Sequence, residues 1–450
     1  MSSQVLSNIA STIATSLPTP CRTALVVSVA VSLSACAQPA DTTPTDSEPA
    51  APASALIGER ATPDPAALHA RALVLDAHAD VELPEAPSRY VGEDGVSRVA
   101  PAKMRAGGMD AVVLAVAADP GPRDSEGVAA ARARADAELQ AVLDLAADPA
   151  NEAVIATTAE AIEAAHEEGK LALIVGFQNA RALGSNVDGI DAFYDAGVRI
   201  FALTHMGHND FADSSRPIFD GDIGTYEVEA EHGGLSPIGE AAIDRINDLG
   251  AVVDVSQLSR DATLQVLART RAPIIASHSN VKALTNVRRN LSDEEIDAIG
   301  ANDGVIHIAA FNGYLFDSND AALHTTIVEA RRAAGLPDAY DYPYELYWEI
   351  EDPEVQRTYI YAIREAIGPG EPEVMLEHLD YVVERIGVDH VGFGNDFNHG
   401  GGIRGFEDAS GAQVLTEGLL ARGYSEAEIA QIWGGNFLRV MRAAAEAAAD

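Results

Sequence analysis

The sequence predicts an α/β protein of the (β/α)8 class, a TIM-type barrel, because eight short apolar runs recur from about residue 63 onward. Stretches with helical periodicity, each of about ten to twenty residues, separate these runs. A doubly wound sheet usually has fewer strands, and no glycine-rich phosphate-binding motif follows any run. The pattern therefore favours a closed parallel barrel without a nucleotide site.

The predicted strands are continuous apolar runs, as expected for strands that are buried on both faces. They span residues 73–76, 111–115, 171–175, 200–203, 251–255, 273–276, 304–308 and 390–393. The helical stretches between them include residues 126–145, 159–168, 237–249 and 293–299. Residues 314–375 combine tyrosines and acidic residues in helical patterns, and we expect them to form an insertion between the last two strands.

The region before the barrel has the composition of an export signal and a tether. An apolar stretch after Arg22 is too short to span a bilayer but fits the core of a signal peptide. It ends in Leu33-Ser34-Ala35-Cys36, which resembles a bacterial lipobox; an ordinary secretory signal or a buried strand is the alternative. We expect a signal peptide over 1–36, a disordered tether over 37–62 and the barrel over 63–450.

This arrangement predicts an exported protein that is anchored by a lipid on Cys36 at the outer membrane and faces the periplasm. The 69 acidic residues outnumber 30 basic ones, and the net charge of −39 disfavours nucleic acid and anionic membrane surfaces as partners. Membrane contact is therefore expected only through the lipid. The two cysteines, Cys21 and Cys36, both precede the barrel, so the barrel has neither a disulfide nor a thiolate ligand.

Polar residues stand where the apolar runs stop. They are His78, Asp80, Gln178, His205, Gln257, His278 and Asp396. Each one alone is explained by a helix cap or a satisfied surface residue. A barrel, however, brings all strand ends to one mouth, and an imidazole next to a carboxylate suits a cation such as zinc. Their joint occurrence indicates a metal site.

These residues carry a resemblance to the membrane (renal) dipeptidase family of zinc-dependent barrel hydrolases. The matching segments run from about residue 63 to residue 447 and include Leu75-Asp-Ala-His78-Ala-Asp80, Leu203-Thr-His205, Ser277-His278-Ser279, Arg289-Asn-Leu-Ser-Asp293 and Gly394-Asn-Asp396-Phe. The order of the Ser-His-Ser, Arg-Asn-Leu-Ser-Asp and Gly-x-Asp-Phe segments makes this resemblance specific.

The resemblance implies a metallo-dependent hydrolase with two zinc ions that cleaves dipeptides. His78 and Asp80 would hold one metal, and His278 would help to hold the other. His205 would polarise the scissile carbonyl, and Arg289 would pair with the free C-terminal carboxylate of the substrate. Asp396 would take a proton from the attacking water and pass it to the leaving amine.

Two residues depart from the family pattern. Gln178 stands where the family has a glutamate that bridges both metals, and Gln257 stands where it has a histidine on the second metal. A neutral amide is a poorer zinc ligand than either, so we expect weakened occupancy of the second position. Three outcomes stay open: a one-metal hydrolase, a weak two-metal site with Gln178 and Gln257 as poor ligands, or loss of catalysis.

The sequence thus predicts a lipid-anchored metallodipeptidase that acts on a small peptide substrate with one or two zinc ions. The alternatives are a non-catalytic peptide-binding lipoprotein and a metal-dependent amidase on another substrate. A homodimer is a further expectation, since relatives are often dimers. His208 and His399 have no role in this scheme and are interpreted as loop residues that could line the pocket.

Overall fold

The structure is a computed structural model that describes residues 63–88, 90–92, 94–220 and 225–448. Residues 61–450 form one compact unit. The predicted signal peptide, the lipobox with Cys36 and the tether over 37–62 lie outside the described residues.

Eight parallel strands form the barrel, and the predicted fold class is confirmed. In chain order they are β1 Leu75–Asp80, β2 Ala111–Ala117, β3 Leu171–Gln178, β4 Val198–Ala202, β5 Val252–Asp254, β6 Ile275–Ala276, β7 Val305–Ile308 and β8 Val391–Phe393. Each strand pairs in parallel with the next one. A bridge between Ala79 and Phe397 joins the last strand end to the first, and the Asp80 amide donates to the Phe397 carbonyl at 2.9 Å.

Three short strands lie outside the barrel and were not predicted. Ala153–Ile155 pairs in parallel with residues 171–173 at the start of β3. Phe219–Asp220 pairs antiparallel with Thr225–Tyr226.

The α-helices connect the strands. They are Pro65–His69, Pro101–Gly107, Ser125–Ala147, Ala159–Glu167, Gly189–Asp195, Pro237–Asp248, Arg260–Arg269, Asp293–Ala301, Ala321–Ala333, Pro353–Ile367, Pro372–Ile386, Gln413–Arg422, Glu426–Ala430 and Asn436–Ala447. Side chains that accept backbone N–H groups start many of them, such as Asp124, Ser236 and the capping box of Ser292. The four helical stretches of the sequence analysis end within two residues of the observed bounds.

The predicted insertion contains two helices with their own core. Residues of Ala321–Ala333 and Pro353–Ile367 pack on each other through Ile327, Tyr359 and Ile363. The next helix, Pro372–Ile386, instead buries Met375 and Leu379 in the main core beside the barrel. The inserted helices therefore end before Pro372, slightly earlier than the expected bound at residue 375.

Strand β1 runs further than predicted and contains both His78 and Asp80. Its pairing with β2 shifts between Asp76 and Ala79, which is a β-bulge. The buried apolar residues form an inner cluster inside the barrel, which includes Val113 and Ile174, and an outer cluster between the strands and the helices. Leu75, before the bulge, belongs to the inner cluster, and Ala79, after it, belongs to the outer cluster. The bulge thus moves the alternation by one residue and turns even-numbered side chains inward.

The inner cluster is closed by the C-terminal helix. Phe437, Val440 and Met441 of Asn436–Ala447 pack against residues such as Val113 and Ile174 on the barrel strands. The opposite end of the barrel, where the carboxyl ends of the strands meet, carries polar side chains. Within the described residues, no helix combines the length and apolarity needed to cross a membrane.

Candidate metal centre

Two imidazole rings meet at the carboxyl ends of the barrel strands. His78 lies in the bulge of β1, between Asp76 and Ala79, and His278 follows β6 after Ser277. Their ring centroids are 3.7 Å apart, with an angle of 22° between the planes. Both side chains are buried. The His-x-Asp segment and the Ser-His-Ser segment therefore lie at one site.

A hydrogen-bonded chain orients the His278 ring. The Ser277 hydroxyl donates to Asp254 Oδ2 at 2.5 Å and lies 2.8 Å from His278 Nδ1. Since the hydroxyl proton is used toward Asp254, this network assigns the His278 Nδ1–H as donor to Ser277 Oγ. The Nε2 atom of His278 then carries a lone pair, and it has no hydrogen-bond partner in the described chain. An imidazole oriented in this way from behind is typical of metal-ligating histidines.

The ligand atoms of His78, His278 and Asp396 lie within 4.8 Å of one another. His78 Nε2 is 3.9 Å from Asp396 Oδ1 and 3.4 Å from Asp80 Oδ1. Within the described residues, the Nε2 atoms of both histidines and Asp80 Oδ1 are buried without a hydrogen-bond partner. Orphaned polar atoms are costly in a folded protein, and a divalent cation would satisfy the two imidazole nitrogens. The residues present therefore fit a metal ion at this position.

The charges at this site are shifted by burial and by the carboxylates. Burial lowers the pKa of His78, but Asp80 and Asp396 outweigh it and the pKa is raised. Burial, helped by His78 and Arg289, holds the pKa of His278 well below its usual range. Burial raises the pKa of Asp396. His278 is thus a neutral imidazole, and Asp396 is a stronger base than an ordinary aspartate.

Asp80 has a partner that the sequence analysis did not assign. His399 Nδ1 donates to Asp80 Oδ2 at 2.7 Å. Burial lowers the pKa of His399, but the Asp80 carboxylate outweighs it and raises this pKa to about 10. His399 is the third residue after Asp396, so its proximity to the Asp396 strand end was the available signal. Its pairing with a residue on β1 depends on barrel closure and was not readable from the sequence.

The two glutamines bind each other. Gln178 at the end of β3 donates from Nε2 to Gln257 Oε1 at 3.2 Å, and both side chains are buried. Gln257 has a φ of 70°, a left-handed conformation that is uncommon outside glycine. Asp396 also has a positive φ, of 58°. Such backbone conformations cost about 1–3 kcal/mol and are frequent at functional sites.

His205 and Arg289 lie at the same end of the barrel. The His205 ring is perpendicular to the His399 ring at a centroid distance of 5.0 Å, and burial holds the pKa of His205 well below its usual value. Arg289 is buried and donates to Ser279 Oγ at 3.0 Å and to the His278 carbonyl at 2.5 Å. All seven strand-end residues and Arg289 are therefore at one mouth of the barrel.

A cavity of about 400 Å³ opens beside this cluster, with Asp80, His205, His399 and Glu138 in its wall. Glu138 comes from helix Ser125–Ala147, binds the Ala117 amide at 2.6 Å and pairs with Arg134. Burial raises the pKa of Glu138 to about 7. The sequence analysis missed Glu138, because its helical position gave no sign that it reaches the end of β2.

His208, in contrast, is engaged in the loop after β4. Its Nε2 is 2.8 Å from the Val228 carbonyl, and its Nδ1 accepts the Ser214 amide at 3.0 Å. It is a hydrogen-bonded loop residue.

Known proteins resemble the chain over nearly the whole described region. A family model described as membrane dipeptidase, peptidase family M19, matches residues 64–450. Dipeptidase aclJ of Aspergillus oryzae is 30% identical over 277 residues, which cover 61% of this chain and 52% of that protein. The matched segment thus spans about half the length of this curated relative.

Solved structures show the same similarity. The crystal structure of the probable dipeptidase PvdM from Pseudomonas aeruginosa superimposes with a TM-score of 0.74 at 32% identity, covering 85% of this chain and 98% of that one. A metallopeptidase from Rhodobacter sphaeroides, liganded with a phosphinate mimic of L-Ala-D-Ala, gives a TM-score of 0.61 at 20% identity, covering 83% and 99%. At 20% identity the second match supports the fold alone.

Proposed function

Since the chain belongs to the membrane dipeptidase family of peptidases, we propose that it is a metal-dependent dipeptidase whose site is built around His78, His278 and Asp396. The observation that carries this proposal is that ligand atoms of these three buried residues lie within 4.8 Å of one another, while the Nε2 atoms of both histidines have no hydrogen-bond partner among the described residues. A buried guanidinium, Arg289, lies next to the same site and suits a free carboxylate.

One zinc ion would be held by His78 and His278, with the carboxylates of Asp80 and Asp396 beside them. When bound, this ion supplies a Lewis acid that lowers the pKa of a water molecule toward 7. Asp80 is held in its charged form, because His399 and His78 keep its pKa low despite burial. An anionic oxygen is therefore available next to two imidazoles.

The second metal position of the family is proposed to be weak or absent here. The hydrogen bond between Gln178 and Gln257 uses the Gln257 amide oxygen, which leaves the unpartnered Gln178 Oε1 as the neutral ligand atom of the pair. Both side chains are neutral, so they contribute no charge to offset the desolvation of a second dication. Of the three outcomes left open by the sequence, we propose the one-metal hydrolase.

Three side chains would carry out the remaining steps of peptide hydrolysis. Arg289 binds the C-terminal carboxylate of the dipeptide and fixes its orientation. His205, a neutral imidazole, donates a hydrogen bond to the scissile carbonyl as negative charge develops on its oxygen. Asp396 takes a proton from the attacking water and delivers it to the leaving amine.

Export, a lipid anchor at Cys36 and a location facing the periplasm are also proposals. They rest on the Leu33-Ser34-Ala35-Cys36 segment alone. Labelling with a fatty-acid analogue, compared between the chain and Cys36→Ser, tests the anchor, and loss of label in the variant is the expected result.

The function is tested by assaying the purified full chain on Xaa-Xaa dipeptides with and without added zinc. Metal-dependent turnover that Asp396→Asn abolishes is the expected result. Binding without turnover would favour the peptide-binding lipoprotein instead. Turnover restricted to amides that lack a free carboxylate would favour the amidase, because Arg289 would then have no partner.

A further inference from the structure

A second arginine, Arg216, stands beside Arg289 at the barrel mouth. The Arg289 guanidinium carbon is 5.5 Å from the centroid of the Tyr314 ring, and that of Arg216 is 4.8 Å from the Tyr342 ring. The two tyrosine rings are 5.8 Å apart and both are buried. The guanidinium groups of Arg216 and Arg289 therefore lie against two neighbouring tyrosine rings.

Backbone contacts fix Arg216 in the loop that also presents His205. The Arg216 carbonyl accepts the Gly207 amide at 2.9 Å, and its own amide donates to Ser214 Oγ at 3.1 Å. The Ser214 hydroxyl in turn donates to the His205 carbonyl at 2.5 Å. The loop therefore places the Arg216 side chain near the residue that faces the scissile carbonyl.

Neither arginine has a carboxylate partner within the described chain. The two hydrogen bonds of Arg289 go to neutral oxygens, and its Nε is buried without a partner. Arg216 is half-buried, and no described residue accepts a hydrogen bond from its guanidinium or lies within ion-pair distance of it.

Burial lowers the pKa of Arg216, but the nearby Tyr314, Tyr342, Glu345 and Asp341 outweigh it and the pKa is raised, although neither acid forms an ion pair with Arg216. Both acids also have other hydrogen-bond partners. Asp341 accepts the Arg288 amide at 3.1 Å on both oxygens, and Glu345 accepts the Asp341 amide at 3.1 Å. Arg216 is close enough to Arg289 to contribute, after burial, to lowering the pKa of Arg289. Two guanidinium groups in one partly desolvated pocket are unfavourable unless anions accompany them. The pocket is thus suited to a ligand that carries two negative groups.

We propose that Arg216 is a specificity residue that binds a side-chain carboxylate of the substrate, so that the preferred dipeptides end in Asp or Glu. This inference rests on the proposed function, in which Arg289 takes the main-chain carboxylate. Arg216 takes the second one, with a planar fork of donors that matches a carboxylate. With a neutral C-terminal residue, the Arg216 guanidinium has no carboxylate in hydrogen-bond contact, and Glu345 and Asp341 act on it only at longer range.

The test compares dipeptides that differ only in charge: Ala-Asp with Ala-Asn, and Ala-Glu with Ala-Gln. For the full chain with zinc, kcat/KM is expected to be about tenfold or more higher for the acidic member of each pair. Arg216→Met removes this preference by lowering kcat/KM for the acidic peptides, and leaves the neutral ones within about threefold. Arg332→Met is the matched control, since Arg332 is exposed and pairs with Asp338 away from the site.

Equal kcat/KM for acidic and neutral peptides in the unaltered chain overturns the inference. An equal loss on both peptides in Arg216→Met also overturns it, because it indicates a purely structural role. If Arg216→Met does not fold, as judged by circular dichroism, Arg216→Lys replaces it; this variant keeps the charge but loses the fork, and a partial loss of preference is expected.

Calorimetric binding separates this inference from the proposed function. If the unaltered chain hydrolyses no dipeptide, the hydrolase proposal fails, and Arg216 is judged by affinity alone. Tighter binding of Ala-Asp than of Ala-Asn, lost in the Arg216 variant, still supports the acidic preference. Equal affinities, or no binding of either peptide, contradict it.

Discussion

The imidazole rings of His78 and His278 stack at a centroid distance of 3.7 Å. Two protonated imidazoles at this distance would repel each other strongly, and burial, together with His78 and Arg289, holds the pKa of His278 well below its usual range. A cation bound between the two rings would use the lone pairs of both Nε2 atoms, which are buried without a hydrogen-bond partner among the described residues.

Removing the support behind His278 should weaken metal binding without removing a ligand. In Ser277→Ala, the His278 Nδ1–H loses its acceptor, and Asp254 loses a donor. We expect a rise of about 10- to 100-fold in the zinc dissociation constant, measured by competition with a chromophoric chelator. Ser185→Ala is the control, because it removes a similar Ser–Asp bond to Asp210 on the surface. Unchanged affinity in Ser277→Ala would show that Ser277 does not orient the ligand.

Asp396→Asn should lower kcat while leaving KM within a few-fold. The amide cannot accept and return the proton, and general acid–base groups contribute about 10²- to 10⁴-fold. Steady-state kinetics on a dipeptide measure the effect. Asp303→Asn is a close control, since exposed Asp303 has nearly the same backbone φ, 57° against 58°. A kcat within tenfold of the unaltered chain would remove Asp396 from the proposed chemistry.

Restoring the family ligands should restore the second metal. The double variant Gln178→Glu, Gln257→His replaces a mutually bonded amide pair by a carboxylate and an imidazole. Histidine also tolerates the positive φ at position 257 better than most residues do. Elemental analysis should find about two ions per chain in the variant, against about one before. A variant that still holds one ion would mean that the Gln178–Gln257 pair does not limit occupancy.

Glu138 should make folding stability fall with rising pH. Burial raises its pKa from 4.5 to about 7, so the folded state holds the proton where the unfolded state has lost it. The folding stability that the protonated Glu138 side chain contributes is fully present below about pH 4.5 and is lost as the pH rises through 7. Since one pKa unit corresponds to about 1.4 kcal/mol, Glu138→Gln should gain about 3 kcal/mol relative to the unaltered chain between pH 4.5 and pH 8.

Urea unfolding of the full chain in a metal chelator measures this difference free of pH-dependent metal binding. Glu126→Gln, on the exposed side of the same helix, should leave the pH dependence unchanged. Parallel stability curves for the unaltered chain and Glu138→Gln would contradict the assignment of a shifted buried carboxyl.

The barrel was predictable because its signals are local. Eight apolar runs and their separation identify the strands, and polar residues at the strand ends follow directly from the chain. Since parallel strands in a barrel end at one mouth, the sequence alone predicts that His78, Gln178 and His278 lie close together.

The contacts that complete the site depend on long-range geometry and could not be predicted. The bulge in β1 that turns His78 and Asp80 inward leaves no sequence signature such as glycine. The positive φ of Gln257 runs against the preference of glutamine and depends on surrounding contacts. Arg216 reaches the pocket through a folded loop, in which spacing along the chain carries no information about the distance to Arg289.

A zinc titration of the chelator-treated chain tests the one-metal dipeptidase most directly. The initial rate of hydrolysis of a dipeptide is followed as zinc is added in fractions of an equivalent per chain. The rate should rise linearly and level off at about one equivalent, and His278→Ala should show no such rise. A plateau at two equivalents, or no hydrolysis at any zinc level, would contradict a single-ion site held by His78 and His278.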